Sequence, residues 1–584
     1  MSQNENQGTS GNRPGFKIFS FNTSVRNPKR NDEFLNAFLK FEGKVFDSVA
    51  SRAYLCELVK LGVYKFMVVP ESVKRKWELN IDLDTDEIDS LINENPQATG
   101  LHNRVMTSYM RSLKDQGFLI YNNDPNGSRY HIITISDLGK DLIDSNKDTS
   151  IVYTKLMLGL HANNPSRVAM HNQSRPFLNA LFVVNRVNEL WTLKGKEPKG
   201  VLRHEFATFI LSMKDCNYEK TAQEIIKYRE KFRSEVNMAY INKYLSDNDI
   251  LPLAETSICS DYPDDVFRKF EMTGLFVSHG KSKYIYYNIS SYNKEKVDLI
   301  LKYYKDYKFE NFTSQKGYYD YLSKISIPWE SDLEMRRRIA KTKAAYLGRP
   351  FNESIPLEEE ELQLDRAFYS NALSKAINKH DIKLIFKELM ILARVIKEDS
   401  SKGFKDIAES LRLEYLLALA IGKKYGTEGL VSNIIYNEDG EPMHWALGNQ
   451  CDIMLFRKEG SLILEPTMLS TRDQQTRNET TSITRHASDA TGKYDTDFKV
   501  LMIAPRVHPD TIDYFTYRSA RNNLKMITLT IARTVGLFGE NNQYTSMLSE
   551  LDSIFDYFMS NDHNLNQCAD YINGYRPDEK IYQF

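Results

Sequence analysis

Residues 451–469, CDIMLFRKEGSLILEPTML, constrain the fold most: two apolar runs of strand length flank a polar turn around Glu459 and Gly460. Runs this short, bounded by turn residues and by Pro466, read as strands, and a turn of a few residues makes them antiparallel neighbours. Upstream, GFKDIAESLRLEYLLALAIGKKYG (403–426) places Leu413, Leu416, Leu417 and Ala420 at helical spacing and closes on Gly426. Downstream, DFKVLMIAP (497–505) and LKMITLTI (524–531) are continuous apolar runs, the mark of strands buried on both faces. Helix, hairpin, then strands with intervening helices is an α/β core, expected over residues 401–584.

Each strand of the hairpin carries one carboxylate, Asp452 at the start of the first and Glu465 near the end of the second, and Glu414 lies mid-helix upstream. A short turn can bring Asp452 and Glu465 together at the open end of the hairpin. Two carboxylates converging there repel unless a cation lies between them, and hard oxygen ligands favour Mg²⁺. Such a centre suits phosphodiester hydrolysis, because the metal deprotonates a water and stabilises charge on the phosphate. The polar segment STRDQQTRNETTSITRHASD (470–489) follows, with Arg472, Gln475, Glu479, Arg485 and His486. Glu479 and His486, seven residues apart, share one face of a helix and could orient water or grip a nucleic-acid backbone. The plainer reading of each feature stands beside these: incidental strand acids, and an exposed polar helix.

The front half has a different pattern, and it occurs twice. LHNRVMTSYMRSLKDQGFLIYNNDPNGSRYHIITISDLGKDLID (101–144) runs helix, Gly117, strand, DPNG turn, strand, helix. DDVFRKFEMTGLFVSHGKSKYIYYNISSYNKEKVDLILK (264–302) repeats that order with an HGKSK turn. This is the outline of a winged helix, a module that presents a helix to the DNA major groove. Asn103, Arg104 and Arg111 on the first helix, with Arg129 on its wing, are the side chains suited to base and phosphate contacts. The turn-rich arm FSFNTSVRNPKRNDEF (19–34) adds Asn22, Thr23, Arg26, Asn27, Lys29 and Arg30. Winged helices also bind proteins, and such an arm can be a solvated loop, so the pattern alone leaves DNA binding and protein binding both open.

Between 310 and 400 the chain has helices without wings around the acidic stretch PLEEEELQLD (356–365), which reads as a helical linker. The expected organisation is an N-terminal recognition domain over 1–150, a second winged-helix-like domain over 151–308, a linker over 309–400 and the α/β core over 401–584. With 41% hydrophobic and 27% charged residues and no apolar run near the roughly 20 residues of a membrane helix, the expectation is a globular protein without a membrane span. The polar start MSQNENQGTSGNRPG lacks the pattern of a secretory signal, so a cytoplasmic location is expected. Five scattered cysteines argue against a disulfide framework or a zinc site. The net charge of -1 excludes no partner, because acidic and basic stretches are segregated.

In sequence order, Glu414, GNQCD with Asp452, LEPT with Glu465, QQTRNE with Gln475 and Glu479, ITRH with His486 and LMIAP resemble the catalytic region of the AlwI-type endonucleases. That bacterial family comprises type IIS restriction enzymes and BstNBI-like strand-nicking relatives. The resemblance extends into the front half through LRHEFATFILSMKD, AQEIIKYREKFR and TGLFV. It implies winged-helix recognition domains, a linker and a C-terminal nuclease core of the PD-(D/E)xK type. It further implies that Asp452 and Glu465 are metal ligands, that Glu414 is a further acidic member, and that Glu479 and His486 are active-site residues. Two positions depart from the pattern. Cys451 stands where proline is expected before the aspartate, and Thr467 stands in place of the motif lysine, as it does in relatives.

The expectation is therefore a Mg²⁺-dependent, site-specific endonuclease of a restriction-modification system that binds a short asymmetric duplex sequence and cuts a few base pairs outside it. It would be monomeric when free, with a transient homodimer on DNA for second-strand cleavage; a weak dimer contact would make it a nickase. Two other classes remain: a winged-helix DNA-binding regulator with an inert nuclease-like domain, and a structural or interaction protein with no duplex affinity.

Overall fold

The computed structural model describes residues 16–21, 28–60, 84, 86–87, 90, 109–144, 147–167, 169–279, 285–401, 403–405, 407, 409–445, 451–470, 472, 475, 480–522 and 524–583. They fall into two compact units, one ending at Phe351 and the other beginning at Asn352, apart from 84, 86, 87 and 90, which go with the second. Helices and sheets are mixed in both. Among the described residues no helix is long and apolar enough to cross a membrane, and none of the five cysteines is in a disulfide.

The first unit contains the same supersecondary arrangement twice. Helix α1 (Asn31–Phe38), strand β1 (Val45–Phe46), helix α2 (Ser48–Lys60) and helix α3 (Met110–Asp115) precede the hairpin β2 (Leu119–Asn123) and β3 (His131–Ile135). The strands form an antiparallel sheet in the order β1-β3-β2. Farther on, β4 (Val201–Leu202), β5 (Phe276–His279) and β6 (Tyr286–Ile289) form a second antiparallel sheet ordered β4-β6-β5. Its hairpin follows the helix Tyr262–Glu271 and precedes the helix Lys294–Tyr303. In each copy the turn from helix into hairpin needs a left-handed residue, and glycine supplies it: Gly117 has φ +77° and Gly274 φ +68°. The repeat expected from the sequence at 101–144 and 264–302 is thus present in the described residues as two three-stranded sheets of identical order.

Two buried polar groupings hold this unit together. Asn31, fully buried on α1, donates to Gln116 Oε1 (2.9 Å) and to the Tyr153 hydroxyl (2.8 Å). Glu205, also fully buried, accepts from Arg229 Nε (2.8 Å) and Nη2 (2.6 Å) and from the backbone N–H of Leu202 (2.8 Å). Arg229 gives its remaining bond to the Gly200 carbonyl (2.6 Å) and lies over the Trp191 ring. Glu205 and Arg229 come from LRHEFATFILSMKD and AQEIIKYREKFR, so these two separated motifs meet in one buried ion pair.

His161 is fully buried among Phe309, Phe312, Tyr318 and Tyr321. Its Nδ1 lies 2.8 Å from the Gly159 carbonyl and its Nε2 accepts from the Glu310 N–H (3.3 Å), which assigns the neutral Nδ1–H tautomer. Burial, reinforced by Arg175, lowers its pKa to about 4. A histidine depressed in the fold stabilises it above the unfolded pKa of about 6.5 and loses that stabilisation as pH falls towards the folded value. We therefore expect about 3 kcal/mol of stability to disappear between pH 6.5 and about 4. His161→Gln should flatten this part of the urea-unfolding profile, and an unchanged slope would refute the assignment.

The second unit is a five-stranded mixed sheet with helices on both faces. Its strands run β13 (Lys525–Thr530), β12 (Phe498–Ala504), β11 (Ser461–Pro466), β10 (Ile453–Leu455) and β7 (Leu430–Ser432) in spatial order. The contacts β13–β12 and β12–β11 are parallel, while β11–β10 and β10–β7 are antiparallel. The small hairpin β8 (Ile434–Tyr436) and β9 (Pro442–Trp445) lies outside this sheet. Helix Glu409–Tyr425 is buried throughout from Leu411 to Gly422 and joins Leu462, Leu464, Leu501 and Ile527 in the larger core. It ends at Gly426, whose φ is +88°. The opposite face carries Met454, Ile463, Val500, Met502 and Met526 and is covered by helix Thr480–Tyr494 through Ile483, Ala487 and Ala490.

The stretch 309–400, expected to be a linker, is shared between the units. Helices Gln315–Ser323 and Leu333–Tyr346 belong to the first. Helices Leu357–Lys379 and Ile382–Leu392 send Leu373, Ala376, Ile377, Ile385, Phe386 and Leu389 into the larger core of the second. The reason is apolar burial: each of the Leu, Ile and Phe side chains gains about 1.5–3 kcal/mol by leaving water.

Candidate active site

The hairpin register decides how the two carboxylates relate. Ile453 faces Leu464, Met454 faces Ile463 and Leu455 faces Leu462. The pairing ends at Ile453 opposite Leu464, and Asp452 and Glu465 are the next residues of the two segments at the open end of the hairpin. Asp452 lies one residue before β10, and its carbonyl accepts from the Asn433 N–H (2.8 Å), so the ladder to β7 also reaches it. Glu465, two residues after Ile463 on β11, takes the face that helix Thr480–Tyr494 covers.

That helix brings His486 to the pair. Its Nδ1 stands 3.7 Å from Glu465 Oε1, and its Nε2 lies 3.4 Å from the Ser482 hydroxyl one turn earlier. Cys451 closes the group from the other side: its thiol is buried and lies 3.5 Å from the His486 carbonyl. Burial pushes the thiol well above its ordinary pKa, and the negative charges of Glu465 and Asp452 push it further in the same direction.

Glu414 is 7% exposed on the helix that packs against the other face of the sheet. It lies near the Tyr436 hydroxyl, whose pKa is raised chiefly by burial and secondarily by that carboxylate; Tyr436 in turn pairs with Ser432 (2.8 Å). Among the described residues no group of three or more His, Cys, Asp and Glu side chains is arranged to hold a metal ion. Glu479 lies outside the described residues.

Gln475 serves the framework. Fully buried, it donates to the carbonyls of Leu469 (2.9 Å) and Arg506 (2.7 Å) and accepts from the His508 N–H (3.1 Å) and the Thr511 hydroxyl (3.0 Å). It pins the segment between β11 and the covering helix to the end of β12. Thr467, at the lysine position, accepts from the Leu469 N–H through its hydroxyl (3.1 Å) and bonds Ile503 through its own N–H (2.8 Å), roles that continue the strand and shape the turn beyond it.

Of the residues expected to touch DNA, Asn22, Arg26, Asn27, Asn103 and Arg104 lie outside the described residues. Arg30 pairs with Glu33 (3.4 Å) over the Phe34 ring. Arg111 is largely exposed on α3, 4.0 Å from Asp115. Arg129, on the turn between β2 and β3, donates to the Tyr130 hydroxyl (2.9 Å) and stacks on its ring.

The AlwI restriction endonuclease family model matches residues 115–537, most of the chain and both units. The chain belongs to the AlwI restriction endonuclease family. It is accordingly a type IIS-like, site-specific DNA endonuclease whose substrate is double-stranded DNA. No curated protein sequence matches it. Among solved structures it is similar to the small subunit of the heterodimeric restriction endonuclease R.BspD6I, at 16% identity over 32% of this chain and 95% of that one, with a TM-score of 0.27. FokI bound to DNA matches at 11% identity over 91% and 72% of the two chains, with a TM-score of 0.21. FokI in a further structure matches at 10% over 92% and 98%, with a TM-score of 0.20.

Asp452 and Glu465 offer carboxylate oxygens, the hard donors that a divalent cation takes. Mg²⁺ takes one or two carboxylates and completes its shell with water and substrate phosphate, so a two-acid set suffices. The sequence named both acids and His486 as candidates. It did not name the Cys451 thiol's contact with the His486 carbonyl, or Ser482, whose i,i+4 spacing to His486 was a usable signal.

Proposed function

We propose that this chain is a Mg²⁺-dependent type IIS restriction endonuclease, the cleaving component of a bacterial cytoplasmic restriction-modification system. Its first unit reads a short asymmetric duplex sequence, and its second hydrolyses a phosphodiester a few base pairs outside it. The observation that carries this reading is the placing of Asp452 and Glu465 at the open end of one antiparallel hairpin, with His486 3.7 Å from Glu465.

On this reading the mixed sheet with its flanking helices is a PD-(D/E)xK core, and Asp452 and Glu465 hold the metal, with Glu414 as a supporting acid. A bound Mg²⁺ supplies an acidified water and offsets charge on the phosphate. The chain's own part is to aim the two carboxylates, to keep water ordered beside Glu465 through His486, and to accept that water's proton at His486 or Glu479. The two three-stranded modules are winged helices, a reading supported by their shared strand order and shared turn glycine. Asn103, Arg104 and Arg111 with the wing residue Arg129 contact bases and phosphates in the first module. Asn22, Arg26, Asn27 and Arg30 form an arm along the backbone.

Each chain has one Asp452–Glu465 pair, suited to one strand at a time. Double-strand cleavage therefore requires a second copy, recruited transiently on DNA by a protein that is monomeric when free; where that contact is weak the product is a nick. Run-off sequencing of both strands of a plasmid digested with Mg²⁺, and with the metal chelated, tests the whole reading. Cuts at a fixed offset on one side of an asymmetric site, lost on chelation, are expected. Cuts inside a palindrome, or cuts indifferent to chelation, would overturn it.

A further inference from the structure

We infer that the segment 302–309, which leaves the last helix of the second hairpin module, is a contact of the first unit with the DNA phosphate backbone, made by Lys302, Lys305 and Lys308. The inference rests on the reading of the first unit as the half that binds duplex DNA.

The segment reads KYYKDYKF, and its side chains divide between two sides. Tyr304, Tyr307 and Phe309 turn inward. The Tyr304 hydroxyl donates to the Ser326 carbonyl (3.2 Å), the Tyr307 hydroxyl bonds the Asn179 side chain, and Phe309 packs on His161. Arg175, 3% exposed, places its guanidinium 5.4 Å from the centroids of both the Tyr304 and the Tyr307 rings. With the Tyr307 N–H bonded to the Tyr304 carbonyl (3.1 Å), these anchors fix the turn. Lys302, Lys305 and Lys308 are left on the outside and exposed, with the 62% exposed Tyr303 among them.

A lysine in the last turn of a helix needs no ligand, because it complements the helix dipole, and Lys302 on helix Lys294–Tyr303 stands there. Lys305 and Lys308 lie beyond that turn, where the dipole no longer accounts for them. Carboxylates do not account for them either. Lys294 on the same helix pairs with Asp298, whereas among the described residues Lys302, Lys305 and Lys308 form no ion pair, although Asp306 and Glu310 are close in sequence. Lys308 also lines an open cavity of about 550 Å³ whose further polar lining is His171, Gln173, Lys214 and Asp215. Two lysines face one carboxylate there, and a cleft with an excess of one charge focuses its field on an approaching ion of the other sign. Three cations at a spacing of three residues on an anchored turn complement a row of phosphates. Lysine suits that role, being a compact charge with rotatable donors that grips phosphate oxygens without reading sequence.

The test is binding of the full chain to a fluorescein-labelled duplex of mixed sequence, followed by anisotropy in Ca²⁺ between about 50 and 200 mM salt. Wild type is compared with Lys302→Gln, Lys305→Gln and Lys308→Gln, singly and together, and with the control Lys196→Gln/Lys220→Gln, which removes exposed charges elsewhere on the first unit. Each lost phosphate contact should flatten the dependence of log affinity on log salt by about 0.9, so by about 2.7 in the triple variant, and weaken binding at the low-salt end. The control should keep the wild-type slope. A wild-type slope in the triple variant overturns the inference, and so does a control that loses as much per charge, which would show a general field instead of contacts. Unchanged DNA binding with altered sedimentation of the triple variant would assign the surface to a protein partner and overturn it as well. A wild-type chain with no affinity for the duplex at low salt overturns the DNA-binding reading of the first unit and this inference with it.

Discussion

Asp452→Ala and Glu465→Ala are each expected to lower cleavage on the order of a thousandfold or more while leaving site-specific DNA binding intact. A metal that polarises a phosphate and acidifies its water contributes several kcal/mol to the transition state, and about 4 kcal/mol corresponds to roughly a thousandfold in rate. Both residues belong to the second unit, whereas the residues expected to contact DNA belong to the first. Removing either also removes a negative charge from a surface that must approach phosphate. Affinity for the recognition sequence should therefore be unchanged or slightly tighter, as read by gel shift in Ca²⁺. Cleavage above a tenth of wild type in either variant would refute the ligand assignment. Loss of binding together with cleavage would show a folding defect instead.

The largest stability effect is expected at Glu205→Ala. Glu205 is fully buried and Arg229 is 6% exposed at its side chain, so the substitution strands a guanidinium where water cannot replace the carboxylate. Breaking a buried pair by removing one partner costs about 3–5 kcal/mol, whereas replacing both members by apolar residues of similar volume is often close to neutral. Glu205→Ala should therefore shift the urea-unfolding transition of the first unit strongly, and specific DNA binding should be lost at temperatures where wild type binds. Combining it with Arg229→Met should recover most of that loss. A cost below about 1 kcal/mol for the single variant, or simple additivity in the double one, would show that the pair is not buried as a unit.

Much of this molecule was legible in the chain because its elements are locally specified. The apolar runs at 453–455, 461–466, 498–504 and 525–530 are strands, the helix after residue 403 ends at Gly426, and both helix-hairpin copies turn at a left-handed glycine. The linker was misjudged for a physical reason. The helices of 357–392 are amphipathic, and amphipathicity states that a face will be buried without stating against what. Their partner is a core assembled from residues more than a hundred positions away as well as nearby ones.

The site divides in the same way. That Asp452 and Glu465 bracket two strands joined by a short turn, that a cysteine precedes the aspartate, and that His486 follows on a helix were determined by the sequence alone. The face of Glu465 was not, because strand side chains alternate with a period of two, and a slip of one residue would have turned Glu465 into the apolar face with Leu462 and Leu464. The tertiary structure also decided three pairings that no local pattern encodes: Cys451 with the His486 carbonyl, Gln475 with four groups around the end of β12, and Glu205 with Arg229. Each joins segments at least 24 residues apart or bridges two elements, and hydrogen bonds and ion pairs of that kind form only where burial of the surrounding apolar surface has already brought the partners together.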